Sequence, residues 1–434
     1  MIIYFHIDEL ARDAVVASAM KHELEKIGGK LIYGTRFTTC YVLRHFDVFD
    51  AIILPSLPHY MDAFPDKDSL PDNVFIVQTE AIGQATGTLR RLNGKYFGHE
   101  PDKCEPWHKS VAAFLLWGYA HLNPFREYYP DYLQKCRVVG HPRLSVSCKP
   151  RVKKKKMDKP VVGFVSRFTL LSPFDERTPF ESAITSMKFG KEIFPLYENS
   201  PERDVEDLFY TEVIDFRVMY QIMASLDPDK FHLTVRPHPR ENRMGWQRLA
   251  EKLNLNVSVS QWDEPFGHWL ERVDIIVTPP STGLYDIYFH QKSAIVIDKI
   301  VPSRREHVLT ESDDNNQILE GACRPRTVPE ALDLINSGSV PFDKEIISQR
   351  LLEQVAEDIA GNSIRNILEA IPDYLSAKKK GVRRRLNLCL YRIVCFVLLH
   401  MKYLKARIQG RVEQGASFDL TLMRSRWIDR LTRT

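Results

Sequence analysis

The sequence predicts an α/β protein of two successive halves, each a parallel sheet covered by helices, closed by a basic helical tail. Three observations predict it. Short apolar runs alternate with amphipathic helical patterns in two separate series; an aperiodic, lysine-rich stretch parts the series; and the last segment changes composition altogether. A chain of 434 residues with 44% hydrophobic content is long enough for two cores, which is the usual arrangement at this size.

The first series opens with Ile2 to Ile7. A helical pattern follows in which Leu10, Ala14, Ala17, Leu24 and Ile27 recur every three or four residues. Further strands are expected at Lys30 to Tyr33, Ala51 to Leu54, Val74 to Val77 and Arg137 to Val139. Strand and helix in alternation imply parallel strands joined by right-handed crossovers. Periodicity lapses from Arg143 to Lys159, where Lys149, Arg151, Lys153 to Lys156 and Lys159 cluster; this is the expected boundary. The second series has strands at Val161 to Val165, Leu233 to Val235, Val257 to Val259, Ile275 to Val277 and Ala294 to Ile297. Helices are expected over Val205 to Leu226, Trp246 to Leu253 and Lys344 to Ala360. The domain plan is therefore 1–148, a linker 149–160, a second domain 161–376 and a tail 377–434.

The formal net charge of +4 conceals an asymmetry. Residues 377–411 carry eleven Lys or Arg and no acid, which leaves the rest of the chain at −7. An acidic body with a basic tail excludes a nucleic-acid enzyme with a basic surface. Leu386 to Leu404 is apolar but broken by Arg392 and Lys402, short of the roughly 20 apolar residues of a bilayer span. An in-plane amphipathic helix with cationic flanks is the expectation, set against a helix packed on the body. A chain cut after Ala377 is then expected to remain folded. Seven scattered cysteines with no Cys-x-x-Cys pair suit a reducing compartment. Met1 to Ile7 reads as a strand, so no signal peptide is expected. The expected location is cytoplasmic, peripheral at the inner face of the membrane.

Two strand ends carry the chemistry. Thr234-Val235-Arg236-Pro237-His238-Pro239-Arg240-Glu241 ends a strand in a proline-bracketed imidazole, with Arg236 and Arg240 as cations. In open α/β sheets ligands sit beyond the carboxyl ends of the strands, where His238 and Arg236 are positioned to meet a phosphate. Asp274-Ile275-Ile276-Val277-Thr278-Pro279-Pro280-Ser281-Thr282-Gly283-Leu284-Tyr285-Asp286 runs from a buried strand into a helix start. There, free N–H groups and the hydroxyls of Ser281 and Thr282 suit an anion; ordinary N-capping by either residue is the plainer account.

Together these motifs resemble the donor half of bacterial surface-carbohydrate glycosyltransferases. The likeness includes the capsule and lipopolysaccharide transferases for 3-deoxy-manno-octulosonic acid (Kdo) and, more distantly, the glycerophosphotransferases of teichoic acid synthesis. It is most specific over Arg236 to Asp298 and weaker over Cys136 to Arg177, which includes Val139-Gly140-His141-Pro142-Arg143-Leu144. His6-Ile7-Asp8-Glu9-Leu10-Ala11-Arg12-Asp13 is similar to the family's opening segment. The resemblance implies a GT-B fold: two Rossmann-like domains facing across a cleft, nucleotide on the C-terminal half and acceptor on the N-terminal half. His238, Ser281, Thr282 and Gly283 then fall at the nucleotide phosphates. Asp286 stands where such enzymes often carry a Glu, and its shorter side chain reaches less far toward the ribose.

Weaker candidates complete the set. Glu80 closes a strand in Val77-Gln78-Thr79-Glu80 and is a candidate acid or base, or a solvated strand end. His6, Asp8 and Glu9 end the first strand near a prospective acceptor, with capping as the alternative for Asp8. Arg167 follows Val161 to Val165 and is a candidate phosphate contact. Asp204, in the run Glu202 to Asp207, is a candidate nucleophile or base, although acids at a helix start commonly answer the macrodipole. Asp227-Pro228-Asp229 has an Asp-x-Asp pattern, but at the strand's amino end. Histidines and cysteines are unclustered, so no metal and no cofactor beyond a CMP- or UDP-linked sugar donor are expected. The partners are that donor, a glycan or lipid-linked acceptor and the inner-membrane surface, and no nucleic acid. The rival functions are a sugar-nucleotide 2-epimerase, a glycerophosphotransferase-like enzyme and a noncatalytic scaffold of polysaccharide assembly.

Overall fold

Among the described residues, eleven parallel strands form two sheets. The structure is a computed structural model that describes residues 1–7, 10–77, 104–147, 158–173, 178, 205–239, 241–261, 264–300, 317–375 and 382–408. It divides into two units, one comprising Met1–Ala81, Thr88–Val146 and Asp358–Thr434, the other chiefly Ser147–Glu357.

The first unit holds a six-stranded sheet in the order β2-β1-β3-β4-β5-β6. Its strands are β1 (Ile2–His6), β2 (Lys30–Gly34), β3 (Ala51–Leu54), β4 (Val74–Val77), β5 (Val111–Leu116) and β6 (Cys136–Val138). Alternate residues fill two cores, as the two-residue period of a strand requires. Tyr4, Ile52, Leu54, Ile76, Phe114 and Leu116 face one side; Ile3, Phe5, Ile53, Phe75, Ala113 and Leu115 face the other. Strand β5 is absent from the sequence expectation: its unbroken apolar run follows the helix Glu105–Ser110 with no turn residue between them, and periodicity alone does not tell such a run from buried helix.

The second core is covered by the helix Leu10–Lys26 and by Ser363–Ala370, whose Ile364, Ile367 and Leu368 are buried there. This corrects the expected second-domain limit of 376. After Glu357 the chain returns to the first unit, bonded through Ser363 Oγ to Gly140 O at 2.6 Å and Asn366 Nδ2 to Val139 O at 3.1 Å. Gly140 has φ +79°, and a Cβ there would lie 2.8 Å from Ala360 Cα. Only glycine combines that conformation with that approach. The return also splits the helix expected over Lys344 to Ala360, which ends at Val355 with Ala356 in the left-handed region, φ 49°.

The tail is corrected in part. Within the helix Val382–Ile408, Leu388, Tyr391 and Cys395 belong to the first core. The Tyr391 ring packs edge-on against Phe46 and Phe49 at 5.3 Å and Tyr4 at 6.4 Å. Leu386, Leu390, Ile393, Val397, Met401 and Leu404 stay exposed. Their spacing of four and three residues makes a stripe opposite the packed face. Among the described residues, no helix is long and apolar enough to cross a membrane.

The second unit has a five-stranded sheet in the order β11-β10-β7-β8-β9, from β7 (Val161–Val165), β8 (His232–Arg236), β9 (Val257–Val259), β10 (Ile275–Thr278) and β11 (Ala294–Val296). The strands that lead to His238 and Ser281 are not neighbours. Strand β7 pairs with both, Val162 with Ile275 and Leu233 alike.

Candidate functional site

In the second sheet the chain runs from β7 outward through β8 and β9, then restarts on the other side of β7 with β10 and β11. The reversal makes a topological switch point between β7 and β10, the usual place for a ligand beyond the strand ends. Ser166 and Arg167 leave β7 there, and Pro280, Ser281, Thr282 and Gly283 leave β10. Pro237 and His238 leave β8, about 10 Å from β10 given two interstrand spacings. Arg167 lies at the β10 turn: its exposed guanidinium donates from Nη1 to Pro280 O at 3.4 Å.

The β10 turn serves both accounts of its hydroxyls. Ser281 Oγ accepts from Gly283 N at 3.0 Å, the bland capping role. Thr282 makes no side-chain cap bond and is half-buried at the start of the helix Gly283–Phe289. Asp286 is buried, 2% exposed.

Arg236, expected at a phosphate, braces the loop after β9. Its guanidinium is buried and donates to Ser260 Oγ at 3.3 Å, Gln261 O at 3.2 Å and Glu264 O. His238, half-buried, is held by its backbone: its N–H donates to Glu241 Oε1 at 3.1 Å. Glu241 is the residue to which the sequence reading assigned no role. Its buried carboxylate also accepts from Ser166 Oγ at 2.7 Å, Phe168 N at 2.8 Å and Trp246 Nε1 at 2.9 Å, so one side chain ties the β7 and β8 loops together. Burial pushes its pKa up. Glu212 accepts from Leu170 N and Leu171 N at 2.9 and 3.0 Å, and burial pushes it up to about 7. The only signal in sequence was an acid ending a proline-rich motif. Glu80, Asp204, Asp8, Glu9 and Arg240 lie outside the described residues.

The first sheet has its own switch point, between β1 and β3. His6 ends β1, and Ser56 and His59 follow β3, with the two imidazole centroids 4.9 Å apart. Ser56 Oγ and His59 Nδ1 are 2.7 Å apart, and His6 Nδ1 and Thr39 Oγ1 likewise 2.7 Å. Thr38 and Thr39 both donate their hydroxyl protons to Thr35 O, at 3.0 and 2.9 Å. Thr39 Oγ1 therefore accepts from Tyr4 OH, 2.7 Å away, and from His6 Nδ1–H. His6 is thus the Nδ1–H tautomer, assigned from its partners, and its Nε2 presents a bare lone pair. That atom is buried with no hydrogen-bond partner among the described residues, a state costing about 1–3 kcal/mol. Burial first, then the charges of His59 and Arg36, holds the His6 pKa well below the usual histidine value.

No known protein family matches the chain, and no curated relative does. Solved structures do match. The Staphylococcus aureus protein MnaA in complex with UDP is 10% identical, with 87% of this chain and 98% of that one covered and a TM-score of 0.50. The wall teichoic acid polymerase TagF, soaked with CDPG, is 9% identical, with 86% and 88% covered and a TM-score of 0.51. The UDP-GlcNAc 2-epimerase of Neisseria meningitidis bound to UDP-GlcNAc is 10% identical, covering 86% and 99%, with a TM-score of 0.46. The chain has a GT-B-like fold.

Within that GT-B-like fold, the second sheet brings Arg167, Ser281, Thr282 and Gly283 to one switch point, with His238 one strand further along. It leaves Arg236 and Asp286 inside the body. No group of three metal-binding side chains occurs among the described residues. Asp227 and Asp229 sit in the turn before β8, where Asp227 Oδ1 accepts from Asp229 N at 2.9 Å.

Proposed function

We propose that this protein is a glycosyltransferase that moves a sugar from a nucleotide-activated donor, held by the second unit, to a hydroxyl of a surface polysaccharide or lipid-linked glycan. The observation that carries this reading is the β7–β10 switch point, where an exposed arginine and the Ser281-Thr282-Gly283 turn face the same strand ends. Arg167 supplies charge to the leaving phosphate, Thr282 supplies a hydroxyl, and His238 steadies the same group from β8. The first unit receives the acceptor.

A CMP-linked ulosonic acid such as Kdo is the donor suggested by the motif resemblance. UDP-linked donors are the alternative, and a glycerophosphotransferase or 2-epimerase reaction uses the same phosphate site. Dependence on an acceptor separates these: an epimerase turns over without one. The enzyme's proposed place is the inner face of the cytoplasmic membrane, a reading supported by the exposed apolar stripe on Val382–Ile408 and by the eleven Lys or Arg of residues 377–411. Thermal unfolding with CMP, UDP and GDP tests the donor site. One nucleotide at 100 times its dissociation constant should stabilise by about 2.7 kcal/mol. A flat response to all three removes the nucleotide-sugar reading.

A further inference from the structure

The loop after β7, Ser166 to Leu171, is held almost residue by residue by two acids, Glu241 buried and Glu212 half-buried. Glu241 accepts from Ser166 Oγ at 2.7 Å and Phe168 N at 2.8 Å. Glu212, on the helix Val205–Ser225, accepts from Thr169 Oγ1 at 3.2 Å, Leu170 N at 2.9 Å and Leu171 N at 3.0 Å. The Phe168 ring is anchored as well, its centroid 5.8 Å from those of Phe216 and Trp246. Arg167 stands inside this run with its side chain exposed and its guanidinium at Pro280 O of the β10 turn. All of these groups lie in the second unit.

A carboxylate withdrawn from water gives up hydration, so apolar packing would hold the loop at lower cost. Burial raises the pKa of both acids, and the charge of Glu241 raises Glu212 further. What apolar packing does not supply is an acceptor for loop N–H groups, and an ionised carboxylate takes several at once. The backbone is therefore fixed on both sides of Arg167, which lowers the ordering cost of bringing its side chain to a ligand. We propose that Glu212 and Glu241 are positioning residues for the donor: by clamping the loop on either side of Arg167, they hold its guanidinium where it meets the phosphate of a nucleotide-activated substrate. The inference rests on the donor-site reading above and adds two acids to it.

Calorimetric titration of the full-length chain tests it, with whichever of CMP, UDP and GDP binds the wild type. Glu212→Leu removes every acceptor at little change in volume, and affinity should fall about tenfold or more, the size of a lost hydrogen bond to a charged group. Glu212→Gln should stay within about twofold of wild type, because its carbonyl oxygen still receives Leu170 N and Leu171 N and its amide can donate to Thr169 Oγ1. A double-mutant cycle separates positioning from general support of the fold. In an Arg167→Ala background, Glu212→Leu should cost almost no further affinity, since the acid acts through that arginine. Equal losses in the two backgrounds, or unchanged affinity in Glu212→Leu alone, overturn the proposal. If Glu212→Leu does not fold, Thr169→Val removes one donor to the same acid and is carried through the same cycle, with the same two outcomes decisive. A wild-type chain that binds none of the three nucleotides removes the donor reading, and the proposal falls with it.

Discussion

Glu241 shows how a single side chain organises two loops that are far apart in sequence. Four donors converge on its buried carboxylate, and truncation leaves them unsatisfied at about 1–3 kcal/mol each, softened by relaxation. Glu241→Ala should therefore lose more than about 3 kcal/mol in denaturant unfolding. Thr282→Ala removes a hydroxyl that caps nothing. It should weaken nucleotide binding about tenfold to a hundredfold with little change in stability. Ser281→Ala, by contrast, removes a cap and should cost about 1 kcal/mol of stability. Glu212 sets a pH dependence. Its folded pKa of about 7 exceeds its ordinary 4.5, so the folded state binds the extra proton. Its contribution to stability is complete below pH 4.5 and is lost as pH rises through about 7. Glu212→Gln should flatten that decline in a series of thermal melts, and an unchanged slope would discount the shift. These roles were only half legible. The motifs around His238 and Ser281 stand out in sequence, but which arginine meets solvent depends on neighbours. Arg236 and Arg167 both follow apolar strands, and only packing turns the first inward.

At the scale of elements, the helix Val382–Ile408 has two jobs on opposite faces. Tyr391 fills an aromatic pocket of the first unit, so Tyr391→Ala should cost about 3–5 kcal/mol, as deletion of a buried ring does. A chain cut after Ala377 should expose that core and aggregate, contrary to what composition alone suggests. The outer stripe is different. Glu at Leu390, Ile393 and Val397 together should abolish binding to anionic liposomes at low salt while leaving the melting temperature near that of the parent. Retained liposome binding would mean that the stripe does not face the bilayer. Composition identified this helix as amphipathic and basic. It did not reveal that a second apolar face was committed to the core, because a helix with two apolar stripes reads, residue by residue, as one broadly apolar segment.

For the whole molecule, the return of the chain after Glu357 changes what proteolysis should yield. Trypsin is expected to cut first in the lysine-rich linker 149–160. The C-terminal product then carries Ser363–Ala370 and Val382–Ile408, both of which pack in the first unit. The two products should co-elute on a sizing column after nicking. Separation into independent halves would contradict the interleaved core.

What the sequence by itself determined was the set of elements and the α/β class. Ten of the eleven strands are marked by apolar runs between turn residues, and the helices by a change of period, both local signals. The two strand-end motifs were legible for the same reason, since a proline-bracketed His and a Ser-Thr-Gly turn are local chemistry. Only the tertiary structure decided the order β11-β10-β7-β8-β9, which separates those motifs by a strand and brings Arg167 beside Pro280. It alone decided that residues beyond Glu357 complete the first unit, and that Thr39 leaves His6 with a bare Nε2. The physical reason is common to all three. Every buried apolar run fits almost any slot in a parallel sheet, and the slot is chosen by the complementarity of surfaces distant in sequence.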